Sequence, residues 1–85
     1  MLDVKFTPNG ADDLKHLPKD LQSRILKKVH FFSIQENPLV FSKSLVNLPP
    51  VTNRFRVGDY RIAFFVKSGT IFVDRVKHRK EVYLD

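Results

Sequence analysis

The chain has 85 residues, 42% of them hydrophobic and 28% charged, with eight phenylalanines, a formal net charge of +6 and a pI near 9.9. This composition supports one small core, excludes a disordered chain, and favours a polyanionic partner, either nucleic acid or an acidic protein. The lack of cysteine excludes disulfide staples and thiolate metal sites; with no bilayer-length apolar run and no signal-peptide core, one soluble, cytoplasmic domain over 1–85 is expected, with no membrane partner.

Leu2 to Phe6 alternates and reads as a short strand with Leu2, Val4 and Phe6 inward. Thr7-Pro8-Asn9-Gly10 ends it, and Ala11 to Leu17 follows as a short helix with Asp12 and Asp13 near its positive end. Pro18 disfavours helix at Leu17 and opens the next one. From Lys19, the apolar positions Leu21, Ile25, Leu26, Val29 and Phe32 recur at helical spacing, which predicts an amphipathic helix to about Gln35; Asn37-Pro38 stops it. The two helices form a hairpin that covers one face of a sheet, with Lys15, Lys19, Arg24, Lys27 and Lys28 on the solvated side. Leu39 to Leu48 fits either a short helix or a packed connection, closed by an extended Pro49-Pro50. No linker, repeat or domain boundary interrupts the chain.

The C-terminal third is hairpin-rich. Gly58-Asp59 lies between alternating runs, with glycine where a type II′ turn needs positive φ. It predicts Val57 opposite Tyr60, Arg56 opposite Arg61, Phe55 opposite Ile62 and Arg54 opposite Ala63. Ser68-Gly69 predicts Lys67 opposite Thr70, Val66 opposite Ile71, Phe65 opposite Phe72 and Phe64 opposite Val73, continuing to Ala63 with Asp74, Ile62 with Arg75 and Arg61 with Val76. Alternation then places Phe55, Val57, Tyr60, Ile62, Phe64, Val66, Ile71 and Val73 on the core face. The other face takes Arg54, Arg56, Arg61, Phe65, Phe72, Asp74, Val76 and His78. The strand is expected to end after Val76, because Lys77-His78-Arg79-Lys80 is too densely charged to bury, and Val82 or Leu84 to pack back from a short tail. The fold class is α+β: a short N-terminal strand and a helical hairpin packed on an antiparallel sheet.

No Gly-rich phosphate loop, zinc-ligand spacing or convincing Ser-His-Asp order is present, and no cofactor or metal is implied. His16 and His30 read as helix-surface residues, and Asp74 as a neutraliser orienting Arg54 or Arg61. What remains is Arg54, Arg56, Arg61, His78, Arg79 and Tyr83. These residue types meet the needs of metal-free RNA cleavage, in which the 2′-OH attacks the neighbouring phosphate. Guanidiniums stay charged and grip phosphate through a planar fork. An imidazole exchanges protons near neutral pH, and an aromatic ring holds an unstacked base. The alternative is that the arginines only bind a polyanion and His78 merely ends a strand.

The run Arg54-Phe55-Arg56-Val57-Gly58-Asp59-Tyr60-Arg61-Ile62, followed after Ser68-Gly69 by Val76-Lys77-His78-Arg79-Lys80-Glu81-Val82-Tyr83, resembles the RelE/ParE toxin superfamily of type II toxin–antitoxin systems, RelE-like branch. The order of elements extends the resemblance over nearly the whole chain. It implies a microbial-ribonuclease-like sheet and, for RelE-type members, ribosome-dependent cleavage of mRNA in the A site. ParE-type members inhibit DNA gyrase instead, and an inactive relative would only hold an antitoxin or operator. By position, the resemblance gives Arg61 the phosphate charge, Arg79 the leaving group and phosphate, and Tyr83 the stacking on mRNA. Arg54 and Arg56 stand where well-studied RelE proteins carry lysines, one of them suggested as a base. An arginine does not readily give up its proton, so proton transfer moves to His78 or to Lys77 or Lys80. Arg54, Arg56, Lys77 and Lys80 are then RNA-binding. An acidic antitoxin that neutralises the arginine face, and with the toxin represses its own operon, is the implied protein partner.

Overall fold

Thr7 both ends the first strand and starts the first helix. In the computed structural model, which describes residues 1–81, β1 spans Asp3–Phe6 and α1 spans Pro8–Lys15. The Thr7 hydroxyl accepts from the Gly10 backbone N–H at 3.2 Å, and Pro8 fills the first helical turn, where its missing N–H costs nothing. The helix therefore opens earlier than expected, and Asp12 and Asp13 fall beyond its first turn rather than at the positive end. Gly10 is required by contact: a Cβ there would lie 2.1 Å from the Val73 carbonyl oxygen. This close approach presses α1 onto the sheet.

The second helix, α2, spans Lys19–Ser33, and a 3-10 turn covers Pro38–Phe41. The four remaining strands are β2 (Lys43–Ser44), β3 (Asn53–Val57), β4 (Tyr60–Lys67) and β5 (Thr70–His78), followed by a 3-10 turn over Arg79–Glu81. The segment with two readings thus contains both a helical turn and a short edge strand. Pro49-Pro50 is a turn with a cis bond rather than an extended pair. The sheet order is β1-β5-β4-β3-β2. Strands β3 to β5 are antiparallel, as expected; β2 adds an unexpected antiparallel edge against β3, and β1 a parallel edge against β5.

The helices cover one face. Ile25, Val29 and Phe32 of α2 pack with Phe55, Val57, Ile62, Phe64, Ile71, Val73 and Val76. Packed rings run through its centre, Phe32 tilted on Phe55 at 4.7 Å and Phe55 stacked on Phe64 at 4.4 Å between centroids. Each such burial contributes about 1.5–3 kcal/mol. Leu26, expected inward, is instead exposed.

Both hairpin turns behave as their sequences require. Gly58 has φ +57°, and Ser68 and Gly69 both take positive φ, as a type I′ turn demands. The β3–β4 register matches the expected one throughout, as does β4–β5 from Lys67–Thr70 to Phe64–Val73. There a bulge intervenes. Asp74 is the extra residue, and beyond it Ala63 meets Arg75, Ile62 meets Val76, Arg61 meets Lys77 and Tyr60 meets His78. The one-residue slip exchanges the faces of everything downstream. Val76 enters the core instead of facing outward, and the strand continues to His78 despite its charges. Asp74 accepts from the Thr7 hydroxyl at 2.8 Å, which ties it to the start of α1 and not to Arg61.

Candidate nucleic-acid interface

The face without helices carries the arginines. Arg56 stands directly opposite Arg61, Arg54 opposite Ala63, and Lys43 of β2 opposite Arg54. Arg56 is exposed, whereas Arg54 and Arg61 are 8% and 7% exposed. Arg61 is held from its own hairpin: Nη1 donates to the Gly58 carbonyl at 3.3 Å. Its Nε is buried without a hydrogen-bond partner among the described residues. An unmet buried donor costs about 1–3 kcal/mol, so stability alone does not account for this guanidinium.

Arg79 is fixed to the same turn. Its backbone N–H donates to the Asp59 carbonyl at 2.7 Å, and its Nε lies 3.7 Å from the Asp59 carboxylate. Gly58 thus orients Arg61 and Asp59 orients Arg79, so two residues of one turn gather arginines from β4 and from the chain after β5. Asp59 is the residue that sequence reading missed here, being legible only as a turn former.

Lys77 shares the arginine face by register, but its Nζ lies 3.3 Å from the Asp13 carboxylate of α1. Asp13 also accepts from Arg75 Nε at 3.0 Å and from the Val76 backbone N–H at 2.9 Å, closing the edge of β5 beyond the end of β1. Lys77 is therefore partly neutralised, while Lys80 is exposed in the final turn.

His78 is the main correction. The bulge puts it opposite Tyr60, on the helix-bearing side at the end of the sheet, and not beside Arg54, Arg56 and Arg61. Its ring meets Tyr60 edge-on at 5.3 Å, its backbone N–H donates to Glu81 Oε1, and its Nδ1 accepts from the Lys80 backbone N–H at 3.1 Å. An occupied Nδ1 leaves the neutral ring with its proton on Nε2. In this arrangement Nε2 is the donor, and Nδ1 is engaged by the Lys80 backbone N–H. Tyr83 lies outside the described residues.

The segment that sequence left open supplies a further element. Val40, Phe41, Ser42 and Lys43 line a recess of about 360 Å³ with Arg54 and Arg56. Among the described residues, no helix is long and apolar enough to cross a membrane.

This sheet, with its two helices on one side and arginines on the other, is the fold of the RelE toxins in solved toxin–antitoxin complexes. A family model described as the ParE toxin of the parDE type II toxin–antitoxin system matches residues 4–83. The toxin RelE3 of Methanocaldococcus jannaschii is 32% identical over 82 residues, covering 94% of this chain and 93% of its own. The RelBE2 toxin–antitoxin complex of Mycobacterium tuberculosis gives a TM-score of 0.73 at 28% identity, covering 92% of this chain and 98% of that one. The RelB–RelE complex of Methanococcus jannaschii gives 0.68 at 30% identity, with 92% and 93% covered. The chain belongs to the RelE/ParE superfamily of type II toxin–antitoxin toxins.

Proposed function

We propose that this toxin is a metal-independent endoribonuclease acting on mRNA in the ribosomal A site, held inactive by an acidic antitoxin. The observation that carries the reading is the attachment of Arg61 and Arg79 to one turn, with Arg56 facing Arg61 across the hairpin. The RelE name of its relative and the RelB partners in the related complexes support it further.

In this reading the 2′-oxygen attacks the adjacent phosphorus and the bond to the 5′-oxygen breaks, giving a 2′,3′-cyclic phosphate and a 5′-hydroxyl. One proton leaves the 2′-oxygen and one reaches the 5′-oxygen. Arg61 stabilises the pentavalent phosphate, Arg79 its leaving-group side, and Arg54 and Arg56 hold the strand. His78 serves proton transfer by reaching around the end of the sheet from the helix-bearing side once substrate displaces the Lys80 N–H, since catalytic hydrogen bonds are often completed only with substrate bound. Tyr83 stacks on the mRNA, and Lys77 and Lys80 add charge at the rim.

Primer extension on ribosome-bound mRNA after brief induction tests this. Wild type is expected to leave cuts within codons, and His78→Ala and Arg79→Ala to leave few. Intact transcripts during growth arrest would overturn the reading. The ParE description of the matching family model favours gyrase inhibition as the second reading; its signature is cleaved DNA accumulating while mRNA stays whole.

A further inference from the structure

The recess beside β2 combines features that neither packing nor the proposed cleavage requires. Phe41 rests its ring on Phe32, with centroids 5.2 Å apart and planes 24° apart, and meets the edge of Phe31 at 6.3 Å. It is nonetheless 44% exposed. Lys43 stands next to it, opposite Arg54, and among the described residues no carboxylate lines the recess. A braced, half-open aromatic ring beside cations is the arrangement that holds unstacked bases of single-stranded RNA. The position fits as well. Arg54 and Arg56 are two residues apart on β3, so the Lys43–Arg54 row lies about 7 Å from the Arg56–Arg61 row, within reach of one extended strand.

We propose that this recess is a nucleotide subsite, in which one base flanking the scissile phosphate stacks on Phe41 while Lys43 contacts the adjoining phosphate. The proposal rests on the RNA-cleaving reading and names where the substrate strand runs. An acidic peptide needs the cations alone and leaves the ring unexplained, so the ring favours RNA.

The test uses the purified full chain and a fluorescein-labelled 2′-O-methyl hexanucleotide, which lacks the attacking hydroxyl and so reports binding without cleavage. One abasic position is walked along the oligonucleotide. At one position, loss of the base is expected to weaken binding about fivefold to a hundredfold. Phe41→Leu should weaken the intact oligonucleotide by a similar factor and abolish the penalty at that position, and Phe41→Tyr should restore it. Lys43→Gln should lower the salt dependence, in log Kd against log salt, by about 0.7. Should Phe41→Leu fail to fold, the abasic series on wild type and the Lys43→Gln slope still decide. Equal binding at every abasic position would overturn the proposal. So would a Glu-rich peptide that loses affinity in Phe41→Leu while RNA binding is unchanged. Whole transcripts in cells together with the expected binding pattern would sink the nuclease reading and leave the subsite standing.

Discussion

Arg56 and Arg61 face each other across the β3–β4 hairpin, one pair beyond Val57 and Tyr60 at the turn. In a two-residue hairpin the second pair is the non-hydrogen-bonded kind, whose Cα atoms approach to about 4.5 Å and whose side chains stand closest. Like charges there oppose folding. A second guanidinium beside a buried one is therefore a cost to the fold that a bound phosphate would offset.

Arg56→Gln removes that repulsion. It should raise the free energy of unfolding by roughly 0.2–1 kcal/mol, read as a higher urea midpoint at constant slope. The same variant should bind single-stranded RNA more weakly, most clearly at low salt. Lower stability in Arg56→Gln would mean that the two side chains support each other.

Arg61 is asked for more. Because it is buried, held by the Gly58 carbonyl and, among the described residues, unmet at Nε, it is fixed in place before any ligand arrives. Arg61→Ala should slow single-turnover cleavage about a hundredfold to a thousandfold with little change in RNA affinity. Arg61→Lys should recover only part of the rate, since an ammonium cannot span two phosphate oxygens as a fork does. A rate loss that saturating RNA reverses would assign Arg61 to binding alone.

His78 separates donation from proton transfer. Glutamine places an N–H near the position of the imidazole Nε2 but does not titrate. If His78 moves a proton, His78→Gln and His78→Ala should both lose about a hundredfold or more in cleavage rate. Activity near wild type in His78→Gln would leave His78 as a fixed hydrogen-bond donor, the role its contact with Lys80 already sets.

The two turns made most of the sheet readable. Gly58-Asp59 and Ser68-Gly69 each fix a two-residue connection, and pairing outward from them is forced until something inserts. The insertion at Asp74 was the point of failure, although a signal was present. Strict alternation puts Arg75 beside Ile62 in the core, and an arginine there is the mark of a slipped register. Val73 and Val76, three apart, are the residues on either side of the bulge that actually face inward. The parallel pairing of β1 with β5 and the pairing of β2 with β3 were not legible, because neither depends on a local turn. The arginines on β3 and β4 were placed correctly for the same reason that His78 was not: they lie before the bulge.

Asp13 shows how the helices reach the site. Its side chain is only 10% exposed and ties α1 to three successive residues of β5, the side chains of Arg75 and Lys77 and the N–H of Val76. Asp13→Ala leaves the Val76 N–H without that acceptor and two cations unneutralised, and should cost about 2–4 kcal/mol in urea unfolding. Asp13→Asn keeps an acceptor for Val76 and should fall between. Asp12→Ala is the control: its carboxylate, 3.3 Å from Lys15, is 59% exposed, and its loss should change stability by less than about 1 kcal/mol. Because β5 runs directly into His78 and Arg79, Asp13→Asn should also reduce cleavage while the chain remains folded. Full activity in a folded Asp13→Asn variant would show that the end of β5 holds its position without the helix.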